Sequence, residues 1–383
     1  MAEPLLVFAD DWGRHPSSCQ HLVRQMLPHR SVTWVNTVGM RPPRIDLATA
    51  RRGLEKIRQW VRPAKPQAAG MEPANPRVLN PRMWPWVSSR LDRAINRRLL
   101  LKQLRPVVDA MPEPPVVVTT IPVVADLIGE LPARRWVYYC VDDFGEWPGL
   151  DHEAVRRLEG LLVRRVDEVV AVSETLRRRM AEFGREAHLL THGVDTDHWA
   201  GEGTDLPPAL ANLPRPLVVF WGVVDRRMDV AFVRALADEL PDATLLFAGP
   251  VSDPDPELLR VPRLTTTGSL PFAELPALAR RADVLVMPYA DLPVTRAMQP
   301  LKLKEYLATG RPTVVRDLPA NRDWADALDL AATPHEFAQL VRQRISTGLP
   351  PEQRDARERL ADESWAAKAA MFENWLSAAE VVR

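Results

Sequence analysis

The segment Asp291–Thr313, DLPVTRAMQPLKLKEYLATGRPT, combines residue types that suit a phosphorylated ligand. Pro300 favours the first turn of a helix that Gly310 would end, so free amides at the helix start could face a diphosphate. Lys302 in that first turn opposes the helix dipole, which favours a role toward an anion. Glu305 lies three residues later on the same face and could accept both hydroxyls of a ribose. A surface helix with a Lys–Glu ion pair is the alternative.

Two adjacent carboxylates follow an apolar run in the first half of the chain. Asp142 and Asp143 come directly after residues 136–141, WVYYCV, whose composition is that of a buried strand. Ligands of doubly wound sheets bind beyond the carboxyl ends of the strands. A carboxylate there could orient or deprotonate a hydroxyl group, so both residues are candidate catalytic groups. Turn formation or helix capping by an Asp pair is the alternative.

The loop after the first apolar run is a second polar candidate. Residues 10–18 read DDWGRHPSS and would lead into a helix capped by a serine. Gly13, Arg14 and Ser17 suit contact with an acceptor or a phosphate. His15 is a candidate base. A helix cap beside a solvated loop is the alternative.

Metal chemistry has little support in the sequence. Asp253 and Asp255 form an Asp-x-Asp pattern, but the surrounding SDPDPE favours a turn. No cluster of His, Cys and carboxylates has metal-ligand spacing, and the two cysteines, Cys19 and Cys140, lie far apart. We therefore expect no bound metal, no permanently bound cofactor and a reducing compartment.

The overall charge weighs against a protein that binds nucleic acid. The 383 residues carry 50 Lys and Arg against 50 Asp and Glu. No basic leader with an apolar core is present, and no apolar run reaches the roughly 18 residues that span a bilayer. We therefore expect a cytoplasmic protein without a transmembrane helix.

The charge is nevertheless unevenly distributed. Residues 51–105 contain 14 Lys or Arg but only 3 Asp or Glu, together with Trp60, Trp84 and Trp86. Basic side chains attract anionic lipid, and tryptophan favours the membrane interface. This segment therefore predicts peripheral attachment to an anionic membrane surface. A solvated basic surface, enlarged by a bias toward arginine over lysine, is the alternative.

Short apolar runs alternate with longer amphipathic stretches, which predicts an α/β fold with parallel sheets. Strands are predicted at residues 4–9, 32–38, 115–121, 136–141, 168–172, 217–222, 244–249, 263–267, 284–288, 312–315 and 328–331. Helices are predicted at residues 17–28, 46–61, 86–104, 151–166, 174–183, 229–240, 272–282, 300–309, 334–346 and 352–381.

A stretch rich in Gly, Pro and Asp, residues 196–214, divides these elements into two Rossmann-like halves. Residues 1–195 would form the first domain and residues 215–364 the second, and the last helix would return residues 365–383 to the first. Its aromatic residues Trp365, Phe372 and Trp375 would pack there. Two such domains would face each other across a deep cleft, the expected ligand site. No GxGxxG motif follows a strand, which weakens an oxidoreductase function, and no Walker A motif is present.

Four segments carry a family resemblance: QPLKLKEYLATGRP, FWGVVDRRMD, YYCVDDFGEWPG and THGVDTDHW. Together they are similar, in order and spacing, to GT-B glycosyltransferases of the family 4 type, in particular bacterial polysaccharide and teichuronic-acid-type transferases. The resemblance covers nearly the whole chain. It implies two Rossmann domains and transfer of a glycosyl group from a UDP- or GDP-sugar to a lipid-linked or saccharide acceptor. It also implies retention of anomeric configuration and no metal requirement.

The resemblance assigns roles to the residues that match the family motifs. Lys302 and Arg227 would hold the donor diphosphate and stabilise the charge of the leaving nucleotide. Gly222 would let the backbone approach that phosphate. Glu305 would bind the ribose. The phosphate and sugar pocket would be lined by Met298, Gln299 and Leu301.

Three positions depart from the family pattern. Ala297 stands where the family has a first Glu, and Val223 and Met228 stand where it has Arg and Lys. Arg227, with Arg226 beside it, is left to compensate. Two alternatives therefore stay open: a nucleotide-sugar epimerase of the same fold, and a catalytically silent nucleotide-sugar-binding partner of an assembly complex.

Overall fold

The structure is a computed structural model that describes residues 3–13, 17–37, 75–147, 150–201 and 203–377. The chain divides into two compact units. The first comprises Met1–Leu190 with Ala369–Arg383, and the second comprises Thr191–Lys368. Each unit is built around one sheet whose strands all pair in parallel. The α/β fold predicted from the alternating pattern is confirmed.

Seven strands form the sheet of the first unit: β1 (Leu5–Ala9), β2 (Val32–Asn36), β3 (Arg77–Leu79), β4 (Val116–Thr119), β5 (Arg135–Cys140), β6 (Glu168–Ala171) and β7 (His188–Leu189). Their spatial order is β3-β2-β1-β4-β5-β6-β7. The helices between them are α1 (Ser18–Met26), α2 (Arg90–Asp109), α3 (His152–Arg165) and α4 (Glu174–Glu182). Strands β1 and β4 are buried along their whole length, as parallel strands with continuous apolar sequences are.

Six strands form the sheet of the second unit: β8 (Leu217–Trp221), β9 (Thr244–Ala248), β10 (Leu264–Thr266), β11 (Val284–Met287), β12 (Thr313–Arg316) and β13 (Asp329–Ala331). Their order is β10-β9-β8-β11-β12-β13. The helices of this unit are α5 (Thr196–Ala200), α6 (Pro208–Ala211), α7 (Val230–Glu239), α8 (Leu275–Arg281), α9 (Pro293–Ala297), α10 (Leu301–Ala308), α11 (Pro334–Thr347) and α12 (Pro351–Ala356). A last helix, α13 (Trp365–Ser377), begins in the second unit, and its residues from Ala369 belong to the first.

The apolar runs located the long strands, but two short edge strands had no such signal. Strands β3 and β7 have three and two residues and are largely exposed, so no buried face imposes an apolar pattern on them. Residues 196–214, predicted as a linker, hold α5 and α6 within the second unit. Trp199 in α5 is buried in the core of that unit. The helix predicted at residues 46–61 lies outside the described residues.

The single helix predicted at residues 352–381 is wrong in its continuity. The chain forms α12, then a 3₁₀ segment at Arg357–Glu363, and then α13. Arg357 is buried in that segment and donates to the carbonyls of Ala327 and Arg311. Ser364 then accepts from the Ala367 amide at 3.1 Å, which begins a new helix.

The aromatic residues of α13 divide between the two units. Phe372 packs on Tyr139 and Trp375 stacks on His188, all in the first unit. Trp365 instead packs against Gly193 in the second unit, where a Cβ on the glycine would lie 2.8 Å from the indole. Within the described ranges, no helix is both long and apolar enough to cross a membrane.

Candidate functional site

The second sheet has its topological switch point between β8 and β11, because the chain leaves β8 toward β9 on one side and reaches β11 on the other. Ligands of open α/β sheets bind beyond the strand ends at such a point. Gly222 directly follows β8, and Tyr289 follows β11 by two residues. Helix α10 begins nearby in space, since its Lys302 contacts both of these residues.

Gly222 makes room for the side chain of Lys302. A Cβ at this position would lie 2.7 Å from Cε of Lys302, and the backbone has a φ of 136°. The glycine therefore leaves space for the lysine, and its approach to a phosphate stays a prediction of the sequence resemblance. Gly249, at the end of β9, is required in turn because its Cβ would lie 1.9 Å from the carbonyl oxygen of Gly222.

Lys302 is held by aromatic groups rather than by a carboxylate. Its Nζ donates to the hydroxyl of Tyr289 at 2.7 Å and lies 5.2 Å from the centre of that ring. The ring of Phe220 lies 5.6 Å from the same nitrogen. An ammonium has three donors, so two remain for a ligand after the bond to Tyr289. The surface Lys–Glu ion pair that the sequence left open is not what this lysine forms.

Arg227 also lies beside Tyr289, and its guanidinium is held by a carboxylate. Its guanidinium makes three contacts of 2.9–3.1 Å with the carboxylate of Asp225. Its remaining terminal nitrogen, Nη1, points to Sδ of Met298 at 3.7 Å, and its Cζ lies 5.7 Å from the ring centre of Tyr289. Asp225 thus orients Arg227 so that one edge of the guanidinium faces Met298.

Glu305 accepts a hydrogen bond from the indole of Trp221, whose Nε1 lies 3.1 Å from Oε2. Burial raises the pKa of the Glu305 carboxyl, whereas the indole bond and the nearby charge of Lys302 lower it. Lys302 and Glu305 therefore lie three residues apart on α10, each fixed by an uncharged partner.

The remaining residues assigned to the donor pocket divide into two groups. Met298 and Gln299 are buried just before α10, and Leu301 is its first residue. Arg226 differs, because its exposed guanidinium pairs with Asp253 at 3.0 Å. It is not held near Lys302 by any bond that the structure shows.

The opposite side of α10 carries a second lysine with a different environment. Lys304 is buried and donates to Thr191 at 3.2 Å, to the carbonyl of His192 and to Glu363. Glu363 also pairs with Lys368 at 2.6 Å. Burial lowers the pKa of Lys304 to about 8. These bonds use the donors of Lys304 inside the protein, so it is a structural residue.

Asp142 and Asp143 follow β5 in the first unit, but their environments differ. Asp143 is buried and pairs with Arg179, whose guanidinium also lies 3.3 Å from Oε2 of Glu159. Glu159 is fully buried and accepts from the hydroxyl of Tyr138 at 2.8 Å, and burial raises its pKa. Asp142 is the more exposed of the two candidates. A carboxylate already held by an arginine is a poor proton acceptor, which weakens Asp143 as a candidate base.

The loop after β1 lies at the switch point of the first sheet, between β1 and β4. The backbone N–H of Gly13 donates to Oε1 of Gln20 at 3.2 Å, with a φ of 76° at the glycine. The hydroxyl of Ser17 accepts from the Gln20 amide at 3.3 Å and caps α1. The predicted acceptor residue Arg14 and the candidate base His15 lie outside the described residues.

Four contributors to these clusters were not predicted from the sequence: Trp221, Tyr289, Asp225 and Gly249. Each of the first three acts on a charged residue assigned from the family motifs. The available signal was position, because all four lie at or just beyond a strand end of the second sheet. Among the described residues, no group of three or more His, Cys, Asp or Glu could hold a metal ion.

Comparison with known proteins identifies one matching family model and one similar curated sequence. Residues 215–346 match the family model described as glycosyl transferases group 1. The putative teichuronic acid biosynthesis glycosyltransferase TuaH of Bacillus subtilis is 28% identical over 177 residues, which are 44% of this chain and 45% of that relative. The match thus spans less than half the length of the curated relative.

Solved structures are similar over almost the entire chain. Anabaena Alr3699/HepE, solved with UDP and glucose, has a TM-score of 0.66 at 14% identity and covers 99% of this chain and 100% of its own. Sucrose-phosphate synthase from Thermosynechococcus elongatus has a TM-score of 0.70 at 15% identity and covers 98% of each chain. At such identities the likeness shows the fold, which is GT-B, as the sequence predicted.

The fold therefore defines the class of this protein as GT-B. Residues 215–346 are similar to the glycosyl transferases group 1, which agrees with the resemblance found in the sequence.

Proposed function

We propose that this protein moves a sugar from a nucleotide-sugar donor to a hydroxyl group of a lipid-linked or saccharide acceptor, in the synthesis of a cell-surface polysaccharide or glycoconjugate. One observation carries the proposal. Lys302 and Glu305 lie three residues apart on α10, near the switch point of the second sheet, and each is fixed by a neutral partner. A cation and a carboxylate so arranged match the diphosphate and the ribose of one ligand.

The donor side of the mechanism follows from these charges. Negative charge accumulates on the diphosphate as the glycosyl bond breaks, and Lys302 with Nη1 of Arg227 would stabilise it. Glu305 would accept the ribose hydroxyls. Met298, Gln299 and Leu301 would line the phosphate and sugar pocket. Arg226, whose partner is Asp253, would contribute less than Arg227.

The acceptor side is proposed from the first unit. Asp142 would orient or deprotonate the acceptor hydroxyl, which inversion requires and retention does not. Asp143 would hold the segment after β5 in place through its ion pair with Arg179. The loop containing Gly13 and Ser17 would contact the acceptor.

A uridine nucleotide is the favoured donor, ahead of a guanosine nucleotide. The support comes from relatives of this fold, because Alr3699/HepE was solved with UDP-glucose and an Escherichia coli protein with UDP-2-fluoro glucose. The relative named for teichuronic acid biosynthesis supports a polysaccharide product. We propose no metal requirement.

Attachment to an anionic membrane surface is proposed through the basic segment, of which residues 75–105 are described. Helix α2 exposes Arg98, Lys102 and Arg105 to solvent, and Leu91 on this helix is 70% exposed. Basic and apolar groups on one helix surface suit the interface of an anionic leaflet. Co-sedimentation with vesicles that contain anionic lipid should be lost when the three basic residues become Glu. Absence of binding by the unaltered protein would overturn the membrane proposal.

The first experiment is a thermal-shift screen against UDP, GDP, dTDP, ADP and their common sugars. A ligand that binds only the folded protein raises its apparent stability. We expect stabilisation by one nucleotide, lost in Lys302→Ala and Glu305→Ala and kept in Lys102→Ala, an exposed lysine of α2. No response to any nucleotide would contradict the proposal.

Product analysis then separates the alternatives that the sequence left open. Transfer to an acceptor extract, with donor consumed only when acceptor is present, supports the glycosyltransferase. Turnover of the donor alone to an epimer would indicate an epimerase. Nucleotide binding without any turnover would indicate a silent binding partner.

A further inference from the structure

Binding of a ribose by Glu305 requires that its carboxylate be ionised and held in one orientation, whatever the sugar of the donor is. Burial disfavours its ionised form and raises its pKa. A protonated carboxyl would lose one acceptor site, and a carboxylate free to rotate would lose binding free energy on being fixed. Some group must therefore hold this side chain ionised and in one orientation.

Trp221 has the geometry for this role. It is the last residue of β8, and its backbone N–H donates to the hydroxyl of Tyr306 at 3.0 Å. Its ring stacks on Trp199 with centroids 5.2 Å apart and meets the ring of Tyr306 edge-on at 4.3 Å. Only 4% of the residue is exposed. The indole is thus locked before any ligand arrives.

The locked indole donates its single N–H to Oε2 of Glu305 at 3.1 Å. A donor to the ionised form favours that form, which opposes the effect of burial. The bond uses one oxygen in a fixed direction. The rest of the carboxylate's acceptor capacity can then meet the hydroxyls of a ribose.

We propose that Trp221 is a positioning residue, whose indole N–H holds the Glu305 carboxylate in the orientation and the ionised form that bind the ribose of the donor. The inference rests on the proposed function of the same site. The proposal assigns the preference for a ribonucleotide to Trp221 and Glu305 together, because Trp221 acts only through Glu305.

The test is the Trp221→Phe variant, which keeps an aromatic ring but lacks the donor. Affinities for UDP and 2′-deoxy-UDP are measured by titration calorimetry. We expect unaltered protein to prefer UDP, and the variant to bind UDP about tenfold more weakly, because a bond to a charged group has this order of strength. The loss for 2′-deoxy-UDP should be smaller, because that ligand keeps only one of the two hydroxyls that Glu305 would accept. The KM for the donor should rise by a similar factor while kcat changes little.

Two controls separate this role from packing. Trp199→Phe disturbs the same aromatic stack but not the bond to Glu305, so its preference for UDP should persist. In a Glu305→Gln background, Trp221→Phe should cause no further loss of that preference. If Trp221→Phe does not fold, Trp221→Met also lacks an N–H donor and fills the site with an adaptable apolar side chain.

The pH dependence gives an independent readout. Without the indole bond the pKa of Glu305 should rise. As the pH is lowered, the affinity of Trp221→Phe for UDP should therefore begin to fall at a higher pH than the affinity of the unaltered protein. The inference would be overturned if Trp221→Phe lost the same affinity for both nucleotides, or if its preference for UDP were unchanged. Weaker UDP binding by Glu305→Gln in the same experiment would show that the proposed function still holds. Failure of the unaltered protein to bind any nucleotide would instead overturn the proposed function.

Discussion

The two sheets have the same switch-point topology, yet the charged side chains near them have opposite kinds of partner. Beyond β5 in the first unit, Asp143 and Glu159 share Arg179, so charges neutralise one another in a buried cluster. At the switch point of the second unit, Lys302 and Glu305 bond to a tyrosine and a tryptophan. An uncharged partner fixes a side chain without cancelling its charge, which leaves that charge available to a ligand. Arg227 is intermediate, because Asp225 holds it by one edge.

The largest expected effect tests the neutralised cluster. Asp143→Ala would leave Arg179 buried without one of its two carboxylates, which should lower the free energy of unfolding by about 3–5 kcal/mol. Urea denaturation of the purified variant measures this. Asp142→Ala, at the adjacent and more exposed position, should cost much less. A stable Asp143→Ala protein with a large fall in kcat would instead make Asp143 a catalytic residue and remove the contrast between the two regions.

The second effect concerns function in the other region. Lys302→Ala should lower kcat/KM for the donor by about 10²–10³-fold, because the leaving diphosphate loses a fixed cation. The melting temperature should stay close to that of the unaltered protein, since a positive charge in the first turn does not stabilise a helix. Steady-state kinetics in the absence of membranes, with Lys102→Ala as the matched control, decide this. Equal losses in both variants would contradict the role given to the site.

Within the single helix α10, Lys302 is proposed to bind a ligand, whereas Lys304 is bonded inside the protein and should affect stability. The folded protein releases the proton of Lys304 near pH 8, whereas the unfolded chain holds it to about 10.5. The unfolded state therefore binds more protons between these values, and this residue should make stability rise with pH there, by up to about 3 kcal/mol. Denaturation at several pH values should show a shallower rise in Lys304→Met. Parallel curves for the two proteins would contradict it.

The smallest expected effect concerns the loop after β1. Ser17→Ala removes the cap of α1 and should cost about 1 kcal/mol of stability. Ser173→Ala is the matched control, because its hydroxyl caps α4 in the same way, accepting from Leu176 at 3.2 Å. A rise in the KM for the acceptor with Ser17→Ala alone would show that this serine contacts the acceptor as well as the helix.

The sequence predicted which elements form and which residues stand at their ends. Apolar runs such as residues 217–222 became β8, and the helix starting at Pro300 became α10, because continuous burial and a proline at a helix start are local signals. The GT-B fold followed from motif resemblance. The break between α12 and α13 was missed because it depends on Arg357 reaching carbonyls some 30 to 46 residues away.

The partners of the site residues could not be predicted for a similar reason. Trp221 and Glu305 are separated by 84 positions, and nothing in the residues around either one marks the other. Asp142 and Asp143 are indistinguishable in the sequence, since the difference between them comes from Arg179 on a separate helix. Patterns of residue type identify candidates, whereas the packing of distant elements decides which of them keep their charge available.

The contact between Gly249 and Gly222 has a consequence for how this protein can vary. Where a Cβ meets a flexible side chain, a second substitution nearby can restore the fit. At Gly249 the obstacle is the carbonyl oxygen of Gly222 at 1.9 Å, and a backbone atom cannot be removed by replacing a side chain. Libraries made to alter donor preference should therefore retain glycine at 249 in every active clone. Tolerated changes should concentrate at neighbouring positions whose contacts are made by side chains.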